Sequence, residues 1–72
     1  MKNDILLKLG YKIKYERMKR KLTQEVLGAM VGLSPQSIST LESGISDVKF
    51  TNLYNIAKAL DIDLGDFSDF KL

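Results

Sequence analysis

An all-α fold of five short helices around one core is what this 72-residue sequence predicts. Three observations predict it. Apolar residues recur three and four apart through most of the chain, the spacing that gives a helix one buried face. Residues that start and stop helices, Thr23, Gly32, Ser34–Pro35, Gly44 and Asp63, fall between those periodic segments. The length fits one domain over residues 1–72, near the lower limit for a chain that folds without staples, and with no cysteine there are no disulfides to help it.

The first helix runs from a cap at Asn3 or Asp4 to about Lys19 or Arg20. Ile5, Leu9 and Ile13, with Leu6 beside them, form its apolar stripe. Gly10 weakens it by roughly 1 kcal/mol relative to alanine, so the residues before Leu9 are expected to fray. Tyr11 and Tyr15, four apart, suit the core edge better than a ligand stack. Leu22 closes the first connection.

Residues 24–43, QEVLGAMVGLSPQSISTLES, read as two short helices joined by a turn. Thr23 caps the first, and Leu27 and Val31 are its apolar face. Gly32 supplies the left-handed residue of the turn. Ser34 caps the second helix and Pro35 takes its first position, where a missing N–H costs nothing. Ile38 and Leu41 turn inward, leaving Gln36, Ser37, Ser39 and Thr40 outward: hydrogen-bonding groups without charge. Met30 is a gap-filler or a partly exposed residue. Capping, turn and apolar positions together have helix-turn-helix spacing. The plainer reading, a helical hairpin whose polar face is merely wet, would not require that coincidence.

Gly44 ends this helix, and a loop from Ile45 to Val48 follows. Phe50, Leu53, Ile56, Ala57 and Leu60 keep helical spacing and are expected in the core of a fourth helix. Asp63 caps a last short helix from Leu64 to about Phe70, with Asp66 placed as in a capping box. Leu64 and Phe67 can finish the core. Phe67, Phe70 and Leu72 together are the expected dimer surface, because apolar residues are in surplus at this end.

Charge is divided unevenly. Residues 1–21 carry eight Lys/Arg against Asp4 and Glu16, a balance of +6. Residues 22–72 carry three lysines against seven acids, a balance of −4. One basic and one acidic end suit a molecule that meets a polyanion on one side only. Histidine and cysteine are absent, which removes the usual general base and the commonest metal ligands. Carboxylates and lysines form no catalytic constellation, so the reading is a non-enzyme without metal or cofactor. Asp4 and Lys8 interrupt any signal-peptide core, and no stretch approaches the ~18 apolar residues of a membrane span. A soluble cytoplasmic protein is expected.

The run Gln24, Leu27, Gly28, Val31, Gly32, Leu33, Ser34, Ile38, Leu41, Glu42, Gly44 resembles the Cro/repressor (XRE-like) helix-turn-helix family. The likeness extends from about Leu9 to Phe67. It implies a compact five-helix, lambda-repressor-like DNA-binding domain whose second and third helices form the motif. It implies that Arg17 pairs with Glu42, and that Gln24 meets a phosphate at a helix N-terminus. Two departures stand out. Gly28 replaces the usual alanine, at a cost of about 1 kcal/mol in helix propensity, where a small residue is expected because the recognition helix crosses close by. The loop after Gly44 holds Asp47 and Val48 where basic residues are common, leaving Lys49 as its one cation.

The expected function is a sequence-specific DNA-binding transcriptional regulator, acting as a repressor by occupying a palindromic operator as a homodimer. Gln36 and Thr40 are the expected base contacts, with Ser39 and Pro35 beside them. Gln24, Ser37, Ser43, Thr51 and Asn52 are expected on the sugar–phosphate backbone, helped by Arg17 and Lys49. No small-molecule effector is evident. Two other classes remain open: a protein-interaction module such as an antitoxin-like subunit, and a membrane-surface role for the lysine-rich first helix.

Overall fold

The computed structural model of the protein describes residues 2–68, with side chains from Asp4 to Phe67. The described residues form five helices and no strand: α1 Lys2–Lys19, α2 Gln24–Val31, α3 Pro35–Ser43, α4 Phe50–Ala59 and α5 Gly65–Ser68. α3 lies against both α1 and α2, and α2 also packs on α4. The core is Leu9 and Ile13 from α1, Leu27 from α2, Ile38 from α3, Ile56 and Ala57 from α4, then Leu60 and Phe67. Each large apolar side chain fully buried here contributes about 1.5–3 kcal/mol.

Each helix end has a local cause. Thr23 Oγ1 accepts from the Val26 N–H at 3.0 Å, and Ser34 Oγ accepts from Ser37 N–H at 3.1 Å. Gly32 at φ 77° and Gly44 at φ 74° close α2 and α3 in the left-handed region. α1 and the helix ending at Ala59 stop in the same way, but without glycine. Lys21 (φ 58°) and Asp61 (φ 56°) take the left-handed position. Leu22 N–H then bonds back to Arg17 C=O, and Ile62 N–H to Ala57 C=O. The apolar residue after each turn, Leu22 or Ile62, packs on the core and offsets the strain.

Several sequence expectations need correcting. α1 is regular from Lys2, so Asn3 and Asp4 lie inside the helix, where Asp4 is in the first turn. Phe50 is 67% exposed and outside the core, since it opens α4 beyond the reach of its neighbours. Ile5, Tyr11 and Tyr15 are exposed, Tyr11 by 71%. Phe67 is only 1% exposed, so it fills this chain's own core and is not available to a dimer surface. Phe70 and Leu72 lie outside the described residues. Met30 is exposed.

Two glycines within helices mark close backbone approaches. A Cβ at Gly10 would lie 2.5 Å from the carbonyl oxygens of both Leu41 and Glu42, so the end of α3 crosses α1 at that residue. A Cβ at Gly28 would lie 2.4 Å from the Leu33 carbonyl oxygen. The need for a small residue there comes from the turn itself, whose Leu33 N–H bonds to Gly28 C=O at 2.8 Å, rather than from the body of the recognition helix.

Candidate nucleic-acid interface

α3 presents its outer face beside the loop that follows it. Gln36 is exposed, and its side-chain amide has no protein partner among the described residues. Thr40, one turn on, donates its hydroxyl to Gln36 C=O at 2.9 Å, which leaves its oxygen able to accept. Ser37 Oγ accepts from Ser34 Oγ at 3.0 Å, and Ser43 Oγ donates to Thr40 C=O at 2.7 Å. Ser39 is half-buried and Pro35 exposed. An open groove collects Gln36, Ser37 and Thr40 with Asp47, Lys49 and Asn52. The structure therefore joins the end of the loop and the first turn of α4 to the outer face of α3. Thr51 is exposed nearby in sequence, while Lys49 stands just before α4 without a side-chain cap bond.

Behind that face, Arg17 holds three elements together. Its Nε and Nη2 donate to the two carboxylate oxygens of Glu42 at 2.6 and 3.1 Å. Nη1 donates to Leu22 C=O at 2.6 Å. The guanidinium fork suits this planar, two-pronged partner, which a lysine would not. Arg17 is 8% exposed and the Glu42 side chain 4%. That burial commits Arg17 to the structural pair. Gln24 Nε2 also donates to Glu42 Oε1, at 3.1 Å. Glu42 thus ties α1 to α3 and also orients Gln24, the first residue of α2. The sequence alone gave no sign of this third partner, because the two residues are 18 apart and both are polar.

The basic end of the chain lies mainly on α1. Glu16, buried on that helix, is bridged by Lys12 Nζ at 3.0 Å and Arg20 Nη1 at 2.6 Å. The Arg20 guanidinium, then Lys12, holds the Glu16 carboxyl below its ordinary range. Lys19 stands 5.8 Å over the Tyr15 ring and Lys58 5.6 Å over Tyr54, both within cation–π range. Among the described residues no group of three acidic, histidine or cysteine side chains could hold a metal ion, and no helix is long and apolar enough to cross a membrane.

A helix-turn-helix family model matches residues 13–67, which run from the last two turns of α1 through Phe67 and include the groove beside α3 and the Arg17–Glu42 pair. The chain belongs to the XRE-type helix-turn-helix family. Among helix-turn-helix relatives, the control protein C.MunI of a Mycoplasma species is 37% identical over 71 residues, covering 96% of each chain. The restriction-modification controller protein C.AhdI of Aeromonas hydrophila superposes with a TM-score of 0.83 at 31% identity, over 86% of this chain and 94% of that one. The P22 c2 repressor, solved with a synthetic operator, superposes at 0.77 with 34% identity, over 82% of this chain and 89% of that one. Like these helix-turn-helix regulators, the chain is a DNA-binding transcriptional regulator.

Proposed function

We propose that residues 1–72 act as one domain that binds a palindromic operator as a symmetric dimer and represses transcription by occupying it. The regulated locus is a restriction-modification system, as the description of C.AhdI as a restriction-modification controller protein supports. The observation that carries this reading is the α3 face. Gln36 and Thr40 stand outward on a helix fixed at its start by Ser34, at its end by Gly44 and from behind by the Arg17–Glu42 pair.

With α3 in the major groove, Gln36 can bond bidentately to the edge of adenine, and Thr40 can meet a base edge or a thymine methyl group. Ser39 and Pro35 flank them. Gln24, Ser37, Ser43, Thr51, Asn52 and Lys49 face the sugar–phosphate backbone, and Arg17 contributes by holding Glu42 and, through it, Gln24. One such helix reads too few base pairs for genomic specificity. Two of them, about 34 Å apart on a two-fold site, read enough. The protein works in the cytoplasm by occupancy, without chemistry or a cofactor of its own.

Selection of bound duplexes from random DNA at two salt concentrations tests this. A palindrome with half-sites about one duplex turn apart is expected. Gln36→Ala is expected to relax one position in each half-site, by about 1–3 kcal/mol. Weak binding that selects no sequence and vanishes as salt rises would overturn the reading, as would a protein that sediments as a monomer on the selected site.

A further inference from the structure

The groove beside α3 holds one carboxylate, Asp47, in a place where a polyanion is to be met. The outer face of α3 has no charge to offset it, and Asp47 makes no ion pair among the described residues. Its position is nevertheless fixed. Gly44, three residues earlier, is buried with its backbone against Leu7, and Val48, the next residue, packs on the core. Asp47 is therefore an exposed carboxylate on a short span anchored at both ends.

A carboxylate is an acceptor only. Facing phosphate or an acceptor edge of a base, it is repelled. Facing the exocyclic amine of cytosine in the major groove, it gains a hydrogen bond, whereas adenine sets its amine beside the N7 acceptor and guanine and thymine present only acceptors. We propose that Asp47 is a specificity-determining residue that reads a cytosine in each operator half-site and penalises every duplex lacking one there. Selectivity then comes from a repulsive element as well as from the attractive contacts of Gln36 and Thr40. Lys49, two residues on, supplies the loop's one positive charge, so the loop as a whole has no net attraction for DNA at large. The proposal rests on the DNA-reading function given above.

The experiment repeats the duplex selection with the full chain, with Asp47→Asn and with Asp47→Glu, then titrates each protein against the selected operator and a scrambled duplex. Asp47 is exposed and unpaired, so unchanged melting temperatures are expected and serve as the folding control. The unmodified chain is expected to show a cytosine in each half-site that Asp47→Asn relaxes. Asp47→Asn is also expected to gain affinity for the scrambled duplex while losing it for the operator, lowering the ratio about fivefold or more. Asp47→Glu keeps the charge and is expected to keep scrambled binding weak. Equal gains on both duplexes, or no change on either, would overturn the proposal and leave the regulator intact. If the unmodified chain selects no sequence, both the proposal and the DNA-reading function fall together.

Discussion

Gly10→Ala sets helix propensity against close packing. In an isolated helix the change is worth about 1 kcal/mol of stability. In this protein the new methyl carbon falls 2.5 Å from the carbonyl oxygens of Leu41 and Glu42 and 2.8 Å from the Glu42 carbonyl carbon. An ordinary C–H···O contact is about 3.3 Å, so α1 and α3 must part by about 0.8 Å at their crossing. All three atoms are backbone, so no side-chain rotation relieves them. Gly44 is similarly tight against Leu7 on the same pair of helices, which limits how far α3 can slide. Overpacking costs about 1–3 kcal/mol, and two rigid contacts place this case near the top of that range. Net destabilisation is then about 2 kcal/mol, or roughly 8–16 °C in melting temperature for a domain of this size. Thermal unfolding followed by circular dichroism reads it directly. Gly65→Ala is the control, since nothing lies within 4 Å of its Cβ position. A Gly10→Ala protein melting at or above the unmodified one would refute the close crossing.

Glu42→Gln leaves the Arg17 guanidinium buried without its counter-charge, at an expected cost of about 3–5 kcal/mol, a large share of the ~4–11 kcal/mol available to a chain this long. Arg17→Met with Glu42→Leu should recover most of that loss, because two apolar groups leave no buried charge; urea unfolding of the single and double variants compares them, and a double variant no better than the single would contradict this account. Glu16 gives a pH dependence of definite sign. Its folded pKa lies below the ordinary 4.5, so its stabilisation is complete above that value and is lost as pH falls through the lower folded one. Melting temperatures taken from about pH 6 to about pH 3 should therefore fall less steeply in Glu16→Gln than in the unmodified chain, and parallel curves would deny the Lys12–Glu16–Arg20 cluster this role.

Features decided by neighbours in sequence were the legible ones. Thr23, Ser34, Pro35, Gly32 and Gly44 act on backbone groups within four residues of themselves, and the structure uses each as expected. Lys21 and Asp61 were opaque as left-handed residues, because what holds them there is the burial of Leu22 and Ile62, a tertiary effect. Gly10 reads as a weak point in a helix until α3 is seen lying across it. Phe50 fails differently: periodicity tells which face a residue takes, but not how far along the axis the core extends. Phe67 satisfied two sequence roles, core and surface, and only packing could choose the core. At the interface, the Arg17–Glu42 pair followed from the family likeness. The capture of Gln24 by Glu42 and the gathering of Asp47 with Gln36 needed the folded chain.

The division of labour on α3 has a consequence for how such a protein changes over generations. Ile38, Leu41, Glu42 and the two caps carry the architecture, while the Gln36 side chain makes no hydrogen bond among the described residues. Exposed substitutions of that kind usually shift stability by no more than about 0.5 kcal/mol. Under the proposed base-reading role of Gln36, target preference can therefore drift without passing through an unfolded ancestor, and a duplicated copy of this gene acquires a new operator by changes at Gln36 and its exposed neighbours while the scaffold stays as it is.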